Sequence, residues 1–218
     1  MRKLLLLLMT LLAVSAFAQE GSSNFREDQL YFGIAYPYFS DAPNELIQNK
    51  LSYAFSVGFV RDMPISKART WAFGFGLGWD QMKIFNNTRF KVTDNKLSSA
   101  TIVDDYQENY VSVQSLALPL EVRWRNATAT KHDFWRVHTG FSLHVPLQIT
   151  SVYTSTIGDK NKQSLPTKGT LLRWNLQFGF NTWNINIAHD LQPLAVSNGS
   201  DGKFDFKFTK IGLIFYLF

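Results

Sequence analysis

Trp71-Ala72-Phe73-Gly74-Phe75-Gly76-Leu77-Gly78-Trp79-Asp80 decides the fold. The odd positions are large and apolar and the even ones small or polar, a period of two that belongs to a strand and not to a helix. A soluble sandwich or a lipocalin-like barrel would set charged side chains opposite its apolar face. Here the opposite face is mostly glycine. Large aromatics backed by glycine suit a closed barrel with lipid outside and a crowded lumen inside.

The same alternation recurs along the chain. It defines eight segments, separated by turn signals. The first runs from Leu30 to Phe39. The second, Leu51 to Val60, sets Leu51, Tyr53, Phe55, Val57 and Phe59 against small residues. The third is Trp71 to Phe85, and the fourth Tyr110 to Arg125. In the fourth, Val111 and Val113 have the opposite parity to Leu116, Leu118 and Leu120, which predicts a bulge near Ser115 or Pro119. The fifth is Phe134 to Leu147, the sixth Thr170 to Phe180, and the seventh begins at Trp183. The eighth, Phe204 to Phe218, has two competing registers. If its even face meets lipid, Lys210 lies near the outer rim and must snorkel. The predicted fold class is all-β, a transmembrane antiparallel up-and-down β-barrel of eight strands over residues 29–218.

Composition agrees. The chain has 218 residues, 45% hydrophobic, 15% aromatic and 18% charged, against about 25% charged in an ordinary soluble domain. The absence of cysteine excludes a disulfide scaffold, a thiolate metal site and a cysteine nucleophile. Arg2 and Lys3, the apolar run Leu4–Val14 and Ala16-Phe17-Ala18 read as a signal peptide over residues 1–18, cleaved between Ala18 and Gln19. Residues 19–28 read as a short periplasmic tail. Loss of Arg2 and Lys3 lowers the formal charge from +5 to +3, too little to argue for nucleic acid.

Connection lengths give an orientation. The links after segments one, three, five and seven are long and polar, near 40–50, 86–108, 150–168 and 190–203. Those after two, four and six are short, near 61–69, 126–133 and 181–182. Outer-membrane barrels keep their short turns in the periplasm, so both termini are expected there. Trp71, Trp124, Trp135 and Trp183 fall at strand ends beside the short turns, with Phe218 at the same level, and are expected to form an interfacial aromatic girdle.

The inward parity collects Asp80, Glu121, Arg123, Arg136, His138, His144 and Arg173. An eight-stranded lumen is just wide enough to be filled by side chains, and polar groups inside it must pair. A salt-bridged plug is therefore the expectation, with no metal, no cofactor and no catalysis. A hydrolase or acyltransferase pair of Ser142 with His138 or His144 is the alternative chemistry. The histidines are too few and too badly spaced for a metal site.

Two stretches go beyond barrel patterning. Arg61-Asp62-Met63-Pro64-Ile65-Ser66-Lys67-Ala68-Arg69 leads into Ala72-Phe73-Gly74-Phe75-Gly76-Leu77-Gly78. Leu118-Pro119-Leu120-Glu121-Val122-Arg123-Trp124-Arg125 leads into Phe134-Trp135-Arg136-Val137-His138-Thr139-Gly140-Phe141. With Ile211-Gly212-Leu213-Ile214-Phe215-Tyr216, they resemble the PorT family of outer-membrane barrels from Bacteroidetes. That resemblance implies a component of the type IX secretion and gliding machinery, of a kind described as a protein-translocating porin. The partners implied are outer-membrane lipid, other secretion components and the barrel-assembly machinery during insertion. Since an eight-stranded lumen cannot pass folded cargo, an accessory or assembly factor is expected. Its two turns would face periplasmic partners through Arg61, Asp62, Pro64, Lys67, Arg69, Arg125 and Lys131. A small general porin or solute channel, and an adhesion barrel acting through 86–108, are the other expectations.

Overall fold

A computed structural model describes residues 28–41, 45–94, 96–126, 134–166, 169–194, 196–199 and 202–217. The signal peptide with Ala18 and Gln19, most of the 19–28 tail, Lys131 and Phe218 lie outside the described residues.

Eight strands form the barrel: β1 (Gln29–Phe39), β2 (Tyr53–Pro64), β3 (Trp71–Phe85), β6 (Glu108–Arg125), β7 (Trp135–Thr154), β9 (Leu171–Phe180), β10 (Trp183–Asp190) and β13 (Phe208–Leu217). Every pairing is antiparallel. The order β6-β3-β2-β1-β13-β10-β9-β7 closes through a β6–β7 ladder. The sheet thereby loses its free edges, the condition for strands to cross lipid. At the short-turn end, β9 and β10 are joined by Asn181 and Thr182. Asn181 holds φ at +53°, a left-handed conformation that asparagine tolerates better than most residues.

Side chains on the outer wall are apolar from Trp71 through Phe73, Phe75 and Leu77 to Trp79, and turn polar at Gln81 and Lys83. Nine residues at about 3.4 Å, tilted about 40°, give a band of about 23 Å, close to the ~25 Å of a membrane barrel. Trp71, Trp135 and Trp183 are exposed on this outer wall, and Trp124 is half-buried opposite Trp71. Trp135 and Trp183 each pair with Phe180, and Trp183 also pairs with Phe215. These register partners set aromatic side chains beside one another from β7 to β13 at the short-turn end.

The long connections are more ordered than the sequence suggests. Between β3 and β6 lies a hairpin of β4 (Thr88–Thr93) and β5 (Lys96–Ile102), and between β10 and β13 a hairpin of β11 (Val196–Gly199) and β12 (Gly202–Asp205). β8 (Lys160–Ser164) pairs with the extended end of β7. Phe90, Ala100, Leu165, Leu194 and Phe206 from these connections pack on Met82, Ile84, Val111, Val113, Ile149 and Phe208 of the wall. The upper lumen is thus an apolar core.

The burial pattern fixes how β6 and β13 face. Val111 and Val113 point inward because the lumen there is apolar, so β6 keeps one parity throughout. The bulge lies on its neighbour: Ser115 pairs with Pro146 and Gln114 with Gln148, which leaves Leu147 as the extra residue of β7. In β13 the odd residues Ile211, Leu213 and Leu217 are exposed and Ile214 and Tyr216 buried, so Lys210 faces the lumen and does not snorkel. The second barrel strand begins at Tyr53, with Leu51 exposed before it. The eighth begins at Phe208, since Phe204 falls in β12.

Candidate functional site

Below the apolar core the lumen is polar, in two storeys. The lower one, toward the short turns, is centred on Arg123. Its Nη1 donates to Asp62 Oδ1 at 2.9 Å and to Gln29 Oε1 at 3.2 Å, and its Nε donates to Glu121 Oε2 at 3.0 Å. Arg125 Nη1 donates to the other oxygen of Asp62, and its Nε to the Arg69 carbonyl at 3.1 Å. Gln177 Nε2 donates to Glu121 Oε1 at 3.3 Å, while Gln177 Oε1 accepts from the Tyr216 hydroxyl. His138 Nδ1 lies 3.3 Å from that same oxygen. The Tyr216 ring lies beneath two guanidinium groups, 5.3 Å from Arg123 and 5.6 Å from Arg136, cation–π contacts that gain from exclusion of water.

The upper storey is centred on Asp80. Its Oδ2 accepts from Arg173 Nη1 at 2.7 Å and from Lys210 Nζ at 2.7 Å, and Arg173 Nε donates to Asp190 Oδ1 at 2.6 Å. Arg173 Nη1 lies 3.3 Å from His144 Nε2. A guanidinium only donates, so Nε2 is the acceptor and the ring proton is assigned to Nδ1, which faces Ser115 Oγ at 3.3 Å.

Glycine on β3 makes room in the lumen for larger side chains. A Cβ at Gly74 would sit 2.6 Å from Arg123 Nε, and one at Gly78 would overlap the Tyr31 hydroxyl. The glycine face is the space into which Arg123 and Tyr31 fold. Between the storeys remains a cavity of about 60 Å³, walled by Gly33, Ala54, Ser56, Glu121, Ser142 and Lys210 among others. At about 10–15 Å³ for each water, it holds only a few.

The seven residues expected in the lumen, Asp80, Glu121, Arg123, Arg136, His138, His144 and Arg173, are all buried there. Sequence reasoning left out Asp62, Arg125, Asp190 and Lys210. With these, four buried carboxylates face five buried lysine and arginine cations among the described residues. Asp190 continues the parity of Asn184, Asn186 and Ala188, and Asp62 that of Gly58 and Val60, so both could have been read as inward. Two residues assigned to the partner turns are corrected: Asp62 and Arg125 are buried and bound to each other inside the barrel. Their parity outweighs their nearness to the turn, because neutralising a buried charge requires its partner. Arg61, outward on β2, and Lys67 in the turn are exposed, while Pro64 at the end of β2 and Arg69 in the turn are half-buried.

Ser142 Oγ lies 2.9 Å from His144 Nε2 and accepts from Asn175 Nδ2 at 2.8 Å. The His144–Asp80 separation of 3.7 Å is too long for a hydrogen bond. Ser142 is buried and the adjacent cavity has room for water alone. The arrangement can relay hydrogen bonds across the lumen, but it offers no bed for an acyl substrate.

A β-barrel is also what the sequence comparison returns. The family model described as an outer membrane protein beta-barrel domain matches residues 17–207. The chain belongs to this family. It is an outer-membrane β-barrel protein. Among curated proteins, none matches it in sequence. Solved structures similar to it include Ail, the attachment invasion locus protein of Yersinia pestis, in complex with the heparin analogue sucrose octasulfate. The identity is 10% and the TM-score 0.38, over 89% of this chain and 100% of that one. Ail in a phospholipid bilayer nanodisc gives 12% identity and a TM-score of 0.32, over 88% of this chain and 100% of that one.

Proposed function

We propose that this protein serves type IX secretion as an accessory or assembly factor of the outer membrane, as its resemblance to the PorT family implies. One observation carries the choice of accessory factor over conduit. Buried carboxylates and cations bridge the lumen in two storeys beneath an apolar core, with about 60 Å³ left between them. A lumen so filled passes neither a protein nor an ordinary solute, so the work is done by surfaces. The lumen carries no catalysis, and Ser142 and His144 belong to its packing.

Short turns face the periplasm in this reading, with both termini beside them. Arg61 and Lys67 then stand exposed where periplasmic components of the machinery can reach them. Deleting the gene should leave proteins with carboxy-terminal sorting domains in the periplasm, and the wild-type gene should restore export. Arg61→Glu with Lys67→Glu should block export while the barrel still inserts. Normal export in the deletion strain removes the secretion role. Normal export in the double variant removes the turn as the partner surface.

A further inference from the structure

The outer wall ends its apolar band unevenly. On β3, β6 and β7, the row above Trp79, Leu116 and Val145 consists of three glutamines: Gln81 pairs with Gln114, and Gln114 with Gln148. Two strand spacings of about 4.8 Å make this row about 10 Å wide, the length of a disaccharide. Gln81 and Gln114 make no side-chain hydrogen bond among the described residues. Gln148 uses only its amide nitrogen, donating to Thr150 Oγ1 at 3.2 Å. A primary amide is costly in hydrocarbon, so this row lies at headgroup depth and its polar atoms face whatever lipid headgroup is there.

A cation stands directly above. Lys83 continues the outward parity of Gln81 and pairs with Ser112. Its Nζ sits 3.7 Å from the Tyr110 ring centre and 4.6 Å from that of Phe85. Lys50 Nζ approaches the same Phe85 ring at 5.9 Å. Glu108 lies 3.5 Å from Lys83, so the two lysines keep one net positive charge against it. Elsewhere on the described barrel strands, Arg61 is the one other lysine or arginine that faces outward, and it lies at the opposite end.

We propose that this wall binds the phosphorylated sugar headgroup of a glycolipid in the leaflet at the long-loop end. The Gln81–Gln114–Gln148 row meets sugar hydroxyls and amides, and Lys83 with Lys50 meets the phosphate. The aromatic rings hold the Lys83 ammonium in place, so little side-chain freedom is lost when the phosphate arrives. The inference rests on the long-loop end facing outward, as in the function proposed above.

The test uses the mature chain in nanodiscs of phosphatidylcholine containing equal amounts of bis-phosphorylated lipid A, its dephosphorylated form and phosphatidylglycerol. Native mass spectrometry reads which lipid stays bound. The phosphorylated glycolipid should be retained in preference to both others. Lys83→Met should cut retention about tenfold, as expected for loss of one charge-assisted contact. Gln114→Ala with Gln148→Ala should reduce it further, and Lys207→Met should leave it unchanged. Equal retention of all three lipids overturns the proposal. So does retention unaffected by Lys83→Met, and so does phosphatidylglycerol bound as well as lipid A, which would mean that the phosphate is recognised without the sugar. If the glutamine variant fails to insert, Lys83→Met alone decides. Nanodiscs present both leaflets alike, so this result does not depend on orientation. Orientation is read separately, by labelling Ile157→Cys with an impermeant reagent on whole cells. Ile157 is exposed and the chain has no other cysteine.

Discussion

Asp80 accepts from two cations, Arg173 and Lys210, each at 2.7 Å and each buried. Asp80→Asn leaves Lys210 without its carboxylate and Arg173 with Asp190 alone, and removing one partner of a buried pair costs about 3–5 kcal/mol. The urea midpoint of the vesicle-inserted barrel should fall accordingly. Lys210→Met added to Asp80→Asn should recover part of the loss, because one uncompensated cation is then gone. If the double variant is less stable than the single one, Lys210 is held by groups other than Asp80. Gly78→Val drives a side chain into the Tyr31 hydroxyl, an overpacking worth about 1–3 kcal/mol on the same measurement. Ser142→Ala removes one hydrogen-bonding hydroxyl, about 1 kcal/mol. Export should continue at the wild-type level, and lost export from a stably inserted Ser142→Ala barrel would show that the hydroxyl does chemistry.

At the scale of a strand, the bulge in β7 makes a sharper forecast. Leu147 is the residue left over between the Pro146–Ser115 and Gln148–Gln114 pairs. Its deletion keeps every other pair and every facing, so the barrel should still insert and migrate as a folded species on unheated gels. Deleting Leu143 instead shifts one side of β7 by one residue and turns its lumen side chains to lipid, since the side-chain period is two. That variant should fail to insert. The strands that could be read in the sequence were those whose two faces differ in size, such as Trp71–Trp79, where glycine makes room for Arg123 and Tyr31. The β6 segment misled because parity alone cannot separate lipid from an apolar core. Val111 and Val113 look like a lipid face and pack under the long loops. For the same reason the sequence leaves two registers open for β13, since Ile214 and Tyr216 are as apolar as a lipid face yet are buried in the lumen. The storeys of the lumen depend on which inward residues share a level, and that follows from stagger between strands far apart in sequence. The seven-residue list therefore had the right face but lacked the pairings.

For the whole molecule, closure and filling act together. Planar-bilayer recordings of the purified barrel should show no conductance steps, because ion pairs bridge the lumen beneath an apolar core. Stable openings would restore the small-channel reading. The same bridging orders events in time. Asp80 is laid down early in synthesis, Arg173 much later, and Lys210 within the last strand of the barrel. The sheet seals where β13 meets β1, so the first strand waits for the final one. Until then a half-built sheet holds a carboxylate whose second cation has not arrived, and sliding such a sheet into lipid is uphill. The chain has a built-in reason to remain outside the bilayer until it is complete, and a truncation that lacks β13 should accumulate as an uninserted, protease-sensitive precursor.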